Sequence, residues 1–143
     1  MAGSGREVGV EGGRKGMGGE IATMASETVL RNAQFWFMPR ISDIAALLEA
    51  IAPPALQEDY DNSGLLVGEP TTEVTGVLVS LDVTEAVVAE AKAKGCNLVV
   101  SHHPLVFRPM KRFTGRDAVE RTLMAALRAG IGLYAIHTNL DNV

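Results

Sequence analysis

A chain of 143 residues, of which 47% are apolar, is long enough to bury one core and too short for two domains of ordinary size. Its formal net charge of −4 at pH 7 makes a nucleic-acid partner unlikely to be held by counterion release, which requires a basic surface. No apolar stretch approaches the roughly 20 residues that span a bilayer, and the single cysteine, Cys96, cannot form an internal disulfide. We therefore expect a cytoplasmic protein that does not enter a membrane.

Residues 1–37 differ in composition from the rest of the chain. They contain glycine pairs and show little apolar periodicity, which is typical of a segment that buries too little apolar surface to fold. Their basic residues are matched by acidic ones, which argues against a mitochondrial leader. We predict a disordered extension, explained most simply by a start site assigned upstream of Met38. The alternative is that the aromatic cluster at residues 35–37 covers a neighbouring surface.

Residues 38–143 are predicted to form one domain that begins with a helix. Four apolar residues recur at the spacing of a single buried helical face, and they are Ile44, Leu47, Leu48 and Ile51. Ser42 is the expected N-cap, and the prolines at positions 53 and 54 end the helix. A turn-rich loop at residues 58–64 follows, and a short apolar run at residues 65–67 predicts a brief strand.

The remaining chain alternates between strands and helices. A continuous apolar run at residues 76–81 predicts a buried strand, and Thr84 is the expected cap of a helix that ends near Gly95. A second strand at residues 97–101 precedes a helix at 117–129, and a third strand occupies 131–136. This order predicts an α/β domain of three layers with a mostly parallel sheet and right-handed crossovers.

Polar side chains follow each of the three predicted parallel strands. Ligands bind beyond the carboxyl ends of such strands, because loops and helix N-termini converge there. All three histidines of the chain fall on this edge. In chain order, the residues are Asp82 after the first strand, His102 and His103 after the second, and His137, Asn139 and Asp141 after the third.

Imidazole and carboxylate groups together suit zinc, iron or manganese, so we predict an open metal site made by His102, His103 and Asp141. Adjacent histidines reach one site only if the backbone leaves the strand, which Pro104 favours. The carboxylate could bridge two cations. The alternatives are a solvated histidine loop and a supporting rather than a ligating role for His137. Asp82 is interpreted most simply as the cap of the following helix, and otherwise as a residue that supports the site or contacts a substrate.

A local basic loop lies near the histidine pair. It contains Arg108, Lys111 and Arg112. It is either a solvated loop or a binding surface for an anionic substrate. Cys96 lies at the start of an apolar strand and is interpreted as a small buried hydrophobe rather than a nucleophile.

Five ordered motifs resemble the NGG-one-interacting-factor-three-like family, whose members are often labelled GTP cyclohydrolase 1 type 2 homologues. They are Ile-Ala-Pro-Pro at 51–54, Asp-Asn-Ser-Gly-Leu-Leu-Val-Gly at 61–68, Leu-Asp-Val-Thr at 81–84, Ser-His-His-Pro-Leu at 101–105 and His-Thr-Asn-Leu-Asp at 137–141. The resemblance covers residues 38–143, which supports a start near Met38.

The resemblance implies a two-lobed α/β subunit, of which residues 38–143 are the N-terminal lobe. It implies two metal ions per complete subunit and assembly into a toroidal hexamer. His102, His103 and Asp141 match metal ligands of the family, and His137 and Asn139 match supporting residues. The remaining ligands belong to a His-x-x-x-Glu helix in the C-terminal lobe, so we expect this chain to be an N-terminal part with an incomplete centre.

Two classes of function agree with these residues. The first is a metal-dependent hydrolase that acts on an unidentified small molecule or nucleotide, and the second is a non-catalytic metal-binding scaffold or protein-interaction factor. No Walker-type phosphate loop is present in the sequence. We expect this chain alone to be inactive, to bind one ion weakly at best, and to expose apolar surface that promotes aggregation or partner association.

Overall fold

The computed structural model describes residues 38–143, so the disorder predicted for residues 1–37 lies outside the described residues. A four-stranded sheet forms the centre of this part of the chain. Its strands are β1 Gly64–Val67, β2 Val77–Ser80, β3 Leu98–Ser101 and β4 Gly132–Ala135. The spatial order is β1-β4-β3-β2, with β2, β3 and β4 parallel and β1 antiparallel to β4. The predicted α/β architecture with a mostly parallel sheet is confirmed.

Three helices lie at the predicted places, and a fourth, short helix after β4 was not predicted. They are α1 Ile41–Ile51, α2 Glu85–Ala93, α3 Ala118–Ala129 and the short α4 Thr138–Asp141, with a 3-10 turn at Pro54–Leu56. The Thr84 hydroxyl caps α2 by accepting from the Val87 amide at 3.2 Å. Gly130 ends α3 in the left-handed conformation at φ 66°, which glycine adopts at little cost. No helix within residues 38–143 is long and apolar enough to cross a membrane.

Two apolar clusters lie on opposite faces of the sheet and make the three layers. On one face, residues of α1 pack on Leu98, Val100 and Tyr134. On the other face, α2 and α3 pack on Val99 and Leu133. Alternate residues of the same strand therefore enter different clusters, as the two-residue period of a strand requires. This double cover holds β3 and β4 rigidly, and the histidines follow these two strands.

The start of α1 differs from its prediction. Ser42 is not the N-cap, because the helix begins at Ile41 and Arg40, two residues before Ser42, takes that position. The Arg40 amide donates to the Asp43 carboxylate at 2.7 Å. A side chain three residues downstream thus supplies the hydrogen-bond acceptor that this backbone amide lacks within the helix. The predicted apolar face is also only partly buried, since Leu47 and Ile51 are 59% and 53% exposed while Ile41 is buried.

Strand β2 is not buried on both faces, so that prediction is wrong. It is an edge strand, and its side chains alternate between exposed and half-buried. Leu78 packs with the cluster beneath α2 and α3, whereas Val79 is 75% exposed and Leu81, just after the strand, is 61% exposed. A continuous apolar run does not reveal which of its two faces is covered.

Candidate metal centre

The three histidines meet at the carboxyl ends of β3 and β4. His102 and His103 follow β3 directly, and His137 follows β4. One ligand nitrogen from each lies within 4.8 Å of the others. The backbone bends at His102, and the His103 amide donates to the Leu81 carbonyl at 2.9 Å. This departure from regular strand geometry lets two consecutive imidazoles reach one place.

Each imidazole is oriented through its Nδ1 atom by an oxygen acceptor. The contacts are His102 to the Ile136 carbonyl at 3.0 Å, His103 to Asp82 Oδ1 at 2.7 Å and His137 to Asp61 Oδ1 at 2.8 Å. A carbonyl or a carboxylate accepts and does not donate, so the proton resides on Nδ1. In a neutral imidazole Nε2 then carries the free lone pair, which is the arrangement found in metal-binding histidines.

Asp61 is the most constrained acid of the site. Its side chain is fully buried and accepts bonds from His137, from the Ser63 hydroxyl at 2.7 Å, and from both the amide and the hydroxyl of Thr138. Burial alone raises the pKa of Asp61, but the bonds from Thr138, His137, Ser63 and the Asn62 amide outweigh it and hold that pKa well below its usual range. Asp61 is therefore a carboxylate that fixes His137.

Asp141 and Asn139 occupy different surroundings on α4. Asp141 Oδ2 lies 3.8 Å from His102 Nε2, and the Asp141 side chain is 57% exposed. Asn139 is buried, where it accepts from the His137 amide at 2.9 Å and donates to the Ala52 carbonyl at 2.8 Å. Asn139 thus fixes the backbone at His137 and ties it to the end of α1, while Asp141 faces the histidine cluster.

Asp82 contacts His103 rather than capping the helix that follows it. The cap of α2 is Thr84, and the Asp82 carboxylate holds the His103 ring. The helix-capping alternative for Asp82 is therefore wrong. The sequence placed Asp82 at the correct edge of the sheet, but it did not identify Asp61, which lies 76 residues from its partner His137.

The donor atoms are of the types that a divalent cation binds, and one pair of them lies at metal-binding separation. Two atoms that bind the same zinc ion, each at about 2 Å, lie no more than roughly 4 Å apart. The 3.8 Å between His102 Nε2 and Asp141 Oδ2 meets this condition, and the imidazole cluster, within 4.8 Å, is slightly wider. Nitrogen and carboxylate donors without thiolates suit zinc, iron or manganese in an open site.

Residues 39–143 match the family model described as Duf34/NIF3, NGG1p interacting factor 3. The chain belongs to this family. A GTP cyclohydrolase 1 type 2 homolog of Lactococcus lactis is 45% identical over 104 residues, which are 73% of this chain and 40% of that protein. A homolog of the same name from Staphylococcus aureus is 43% identical over a 104-residue alignment that covers 71% of this chain and 28% of that protein.

Solved NIF3-family structures share the fold. A Bacillus cereus protein related to NIF3 is 38% identical, with a TM-score of 0.69 over 73% of this chain and 29% of the other. Reduced HcgD from Methanocaldococcus jannaschii is 33% identical, with a TM-score of 0.66 over 71% of this chain and 41% of the other. The resemblance stated from the motifs is confirmed, and this NIF3-family chain spans less than half the length of these relatives.

Proposed function

We propose that this chain binds a divalent cation, zinc, iron or manganese, through His102, His103 and Asp141, with His137 as an additional ligand. The observation that carries the proposal is the common orientation of the imidazoles. All three use Nδ1 to contact an oxygen acceptor, so each has Nε2 available to a metal. Solvated surface histidines have no need of such contacts.

The surrounding carboxylates support this proposal electrostatically. Asp61 and Asp82 each contact the ring nitrogen opposite the proposed metal-binding nitrogen, which raises the basicity of the ligand. Asp141 adds an oxygen donor and a negative charge beside His102. Two of these three acids are well exposed, and the buried one, Asp61, has a pKa that keeps it charged at neutral pH.

The activity that we propose for the complete protein is hydrolysis of a small molecule or a nucleotide. A bound cation supplies a lowered pKa for coordinated water and a charge that polarises a substrate oxygen. The relatives' name, GTP cyclohydrolase 1 type 2 homolog, agrees with this class of reaction. The paired ions of a dinuclear centre and the hexameric assembly implied by the motifs stay predictions, as does the inactivity of this chain alone.

Calorimetric titration with Zn²⁺ and Mn²⁺ tests the metal site. We expect the His102→Ala/His103→Ala variant to lose more than about 100-fold in affinity, since loss of an outer-shell partner alone costs about 10–100-fold. Glu90→Gln is the control, because Glu90 is an exposed acid on α2 that pairs with Lys94. Equal affinity of the double variant and the parent chain would contradict the proposal.

A second comparison separates the hydrolase from a metal-binding scaffold. The metal-loaded complete protein, with the C-terminal lobe implied by the motifs, and its double histidine variant are screened in parallel against nucleotides and phosphoesters. Turnover by the parent that is lost in the variant supports the hydrolase. Absence of turnover from both, with partner binding retained by the variant, favours the scaffold.

A further inference from the structure

A row of aromatic rings leads from the protein surface to the histidine cluster. The Tyr60 and Phe107 ring centroids are 6.4 Å apart, and Phe107 lies 6.4 Å from His137 in an edge-on arrangement of 89°. His137 in turn lies 5.1 Å from His102. Tyr60 is 65% exposed and Phe107 is 43% exposed, so both present ring surface to solvent beside a polar site. We refer to Tyr60 and Phe107 as the aromatic shelf.

The shelf is held by the same turn that orients His137. Tyr60, Asp61 and Asn62 are consecutive, and Asp61 binds His137. The Asn62 side-chain amide donates to the carbonyl of Val106, the residue before Phe107. One short segment therefore presents the Tyr60 ring, fixes an imidazole and anchors the backbone that carries Phe107. Such coupling fixes the shelf relative to the histidines, as a binding site requires.

The loop that carries Phe107 is positively charged. Residues 104–116 contain four basic residues and no acidic residue. Among residues 38–143, Arg108, Lys111 and Arg112 form no ion pair with a carboxylate within 4.0 Å. Phe107 and Arg108 also line a cavity of about 310 Å³, whose one acidic lining residue, Asp117, is engaged as the cap of α3. Apolar ring surface and positive charge thus border one concave region.

We propose that the aromatic shelf is a subsite for a planar aromatic ring that carries an oxyanion substituent, such as a phosphate or a carboxylate. The ring lies against Tyr60 and Phe107, and the oxyanion lies toward the basic loop and the histidine cluster. The contact of the oxyanion with the cluster rests on the proposed metal function. The contact of the ring with the shelf does not, so the two can be tested separately.

The probes are phenyl phosphate, cyclohexyl phosphate and benzyl alcohol, each titrated into the full chain with and without Zn²⁺ and followed by NMR chemical shifts. Phenyl phosphate is expected to bind about threefold to tenfold more tightly than cyclohexyl phosphate, because an aromatic pair adds a specific attraction beyond burial of area. Benzyl alcohol, which is neutral, is expected to bind more weakly than phenyl phosphate. Equal affinities for benzyl alcohol and phenyl phosphate would overturn the oxyanion preference.

The variants Phe107→Leu and Tyr60→Leu are each expected to reduce the ratio of the two phosphate affinities toward one. Phe113→Leu is the matched control, because Phe113 is an exposed phenylalanine on the same loop, at 53% exposure, outside the shelf. The proposal would be overturned if both shelf variants kept the parent's ratio of the two phosphate affinities. It would also be overturned if the parent chain bound phenyl phosphate and cyclohexyl phosphate equally, with and without Zn²⁺. A preserved ratio in a chain that does not bind Zn²⁺ would refute the metal function and leave the shelf supported.

Discussion

The side chain of Asp61 connects three parts of the site. It is fully buried, holds the His137 ring and accepts two bonds from Thr138 at the start of α4. A buried carboxylate with this many donors is costly to neutralise, because every donor then loses its charged partner. The orientation of His137 therefore depends on the charge of Asp61 as well as on its shape.

Asp61→Asn tests this dependence at constant side-chain size. The amide offers one acceptor oxygen in place of two, so it cannot satisfy both His137 and Thr138. We expect a loss of about 10–100-fold in Zn²⁺ affinity and of about 1–3 kcal/mol in the free energy of unfolding. Calorimetry and thermal unfolding measure the two effects. Ser63→Ala, which removes a single donor to Asp61, is the control, and a folded Asp61→Asn protein with the parent's affinity would contradict the role.

The sequence predicted the residues of the site unevenly. His102, His103, His137 and Asp141 were placed together because each follows a strand of one parallel sheet, and that topology is readable from local patterns. Asp61 was not predicted, because its partner is 76 residues away and no local periodicity encodes that contact. The roles of these residues as ligands stay predictions until a metal is measured.

Glu120 joins the basic loop to α3. The Glu120 side chain lies in the first turn of α3 and accepts from the Arg116 amide at 3.0 Å and from the Thr114 amide at 2.8 Å. The Arg116 and Thr114 bonds lower the pKa of Glu120, against the smaller effect of burial. The loop that carries Phe107 is thereby closed at its far end by an ionised carboxylate.

The pH dependence of stability follows from the direction of this shift. The pKa of Glu120 is lower in the folded chain than its ordinary value of 4.5, so the stabilisation is fully present above pH 4.5 and is lost as the pH falls through the folded pKa. We expect Glu120→Gln to lower the unfolding temperature at pH 7 and to have a smaller effect at pH 3.5. Glu90→Gln is the control. An equal reduction of the unfolding temperature by Glu120→Gln at both pH values would contradict this explanation.

The order of the helices and strands was predictable, whereas the exposure of their side chains and the contacts at their ends were not. Each strand and the three long helices begin and end within a few residues of the predicted limits, because caps, glycines and apolar spacing are local signals. The exposure of Val79 and the N-cap at Arg40 were not predicted. The first depends on which layer covers an edge strand, and the second on a carboxylate that reaches back from Asp43.

The edge strand β2 leaves apolar surface exposed to solvent. Val79 and Leu81 are 75% and 61% exposed. An exposed apolar edge strand favours association between chains, because its backbone groups and side chains are both available. The sequence predicts aggregation or partner association, and this surface is where we expect it to occur.

Val79→Thr tests the contribution of this surface, since threonine keeps the branched shape and replaces a methyl with a hydroxyl. We expect the variant to stay monodisperse at higher protein concentration and to bind less of a dye that reports exposed apolar surface, with little change in unfolding temperature. Val99→Thr is the control at a fully buried position of β3 and is expected to lower the unfolding temperature. Light scattering that is unchanged by Val79→Thr would contradict the prediction.

The most direct test of the metal site is a titration of the ¹⁵N-labelled chain with Zn²⁺, in which long-range NMR spectra report the ring nitrogens. Before metal is added, we predict that His102, His103 and His137 carry their proton on Nδ1, as their oxygen partners require. During the titration we predict that the Nε2 signals shift as metal-bound nitrogen, while Nδ1 stays protonated and saturation occurs at one weakly held ion per chain. Unchanged Nε2 signals, or two tightly held ions per chain, would contradict this account.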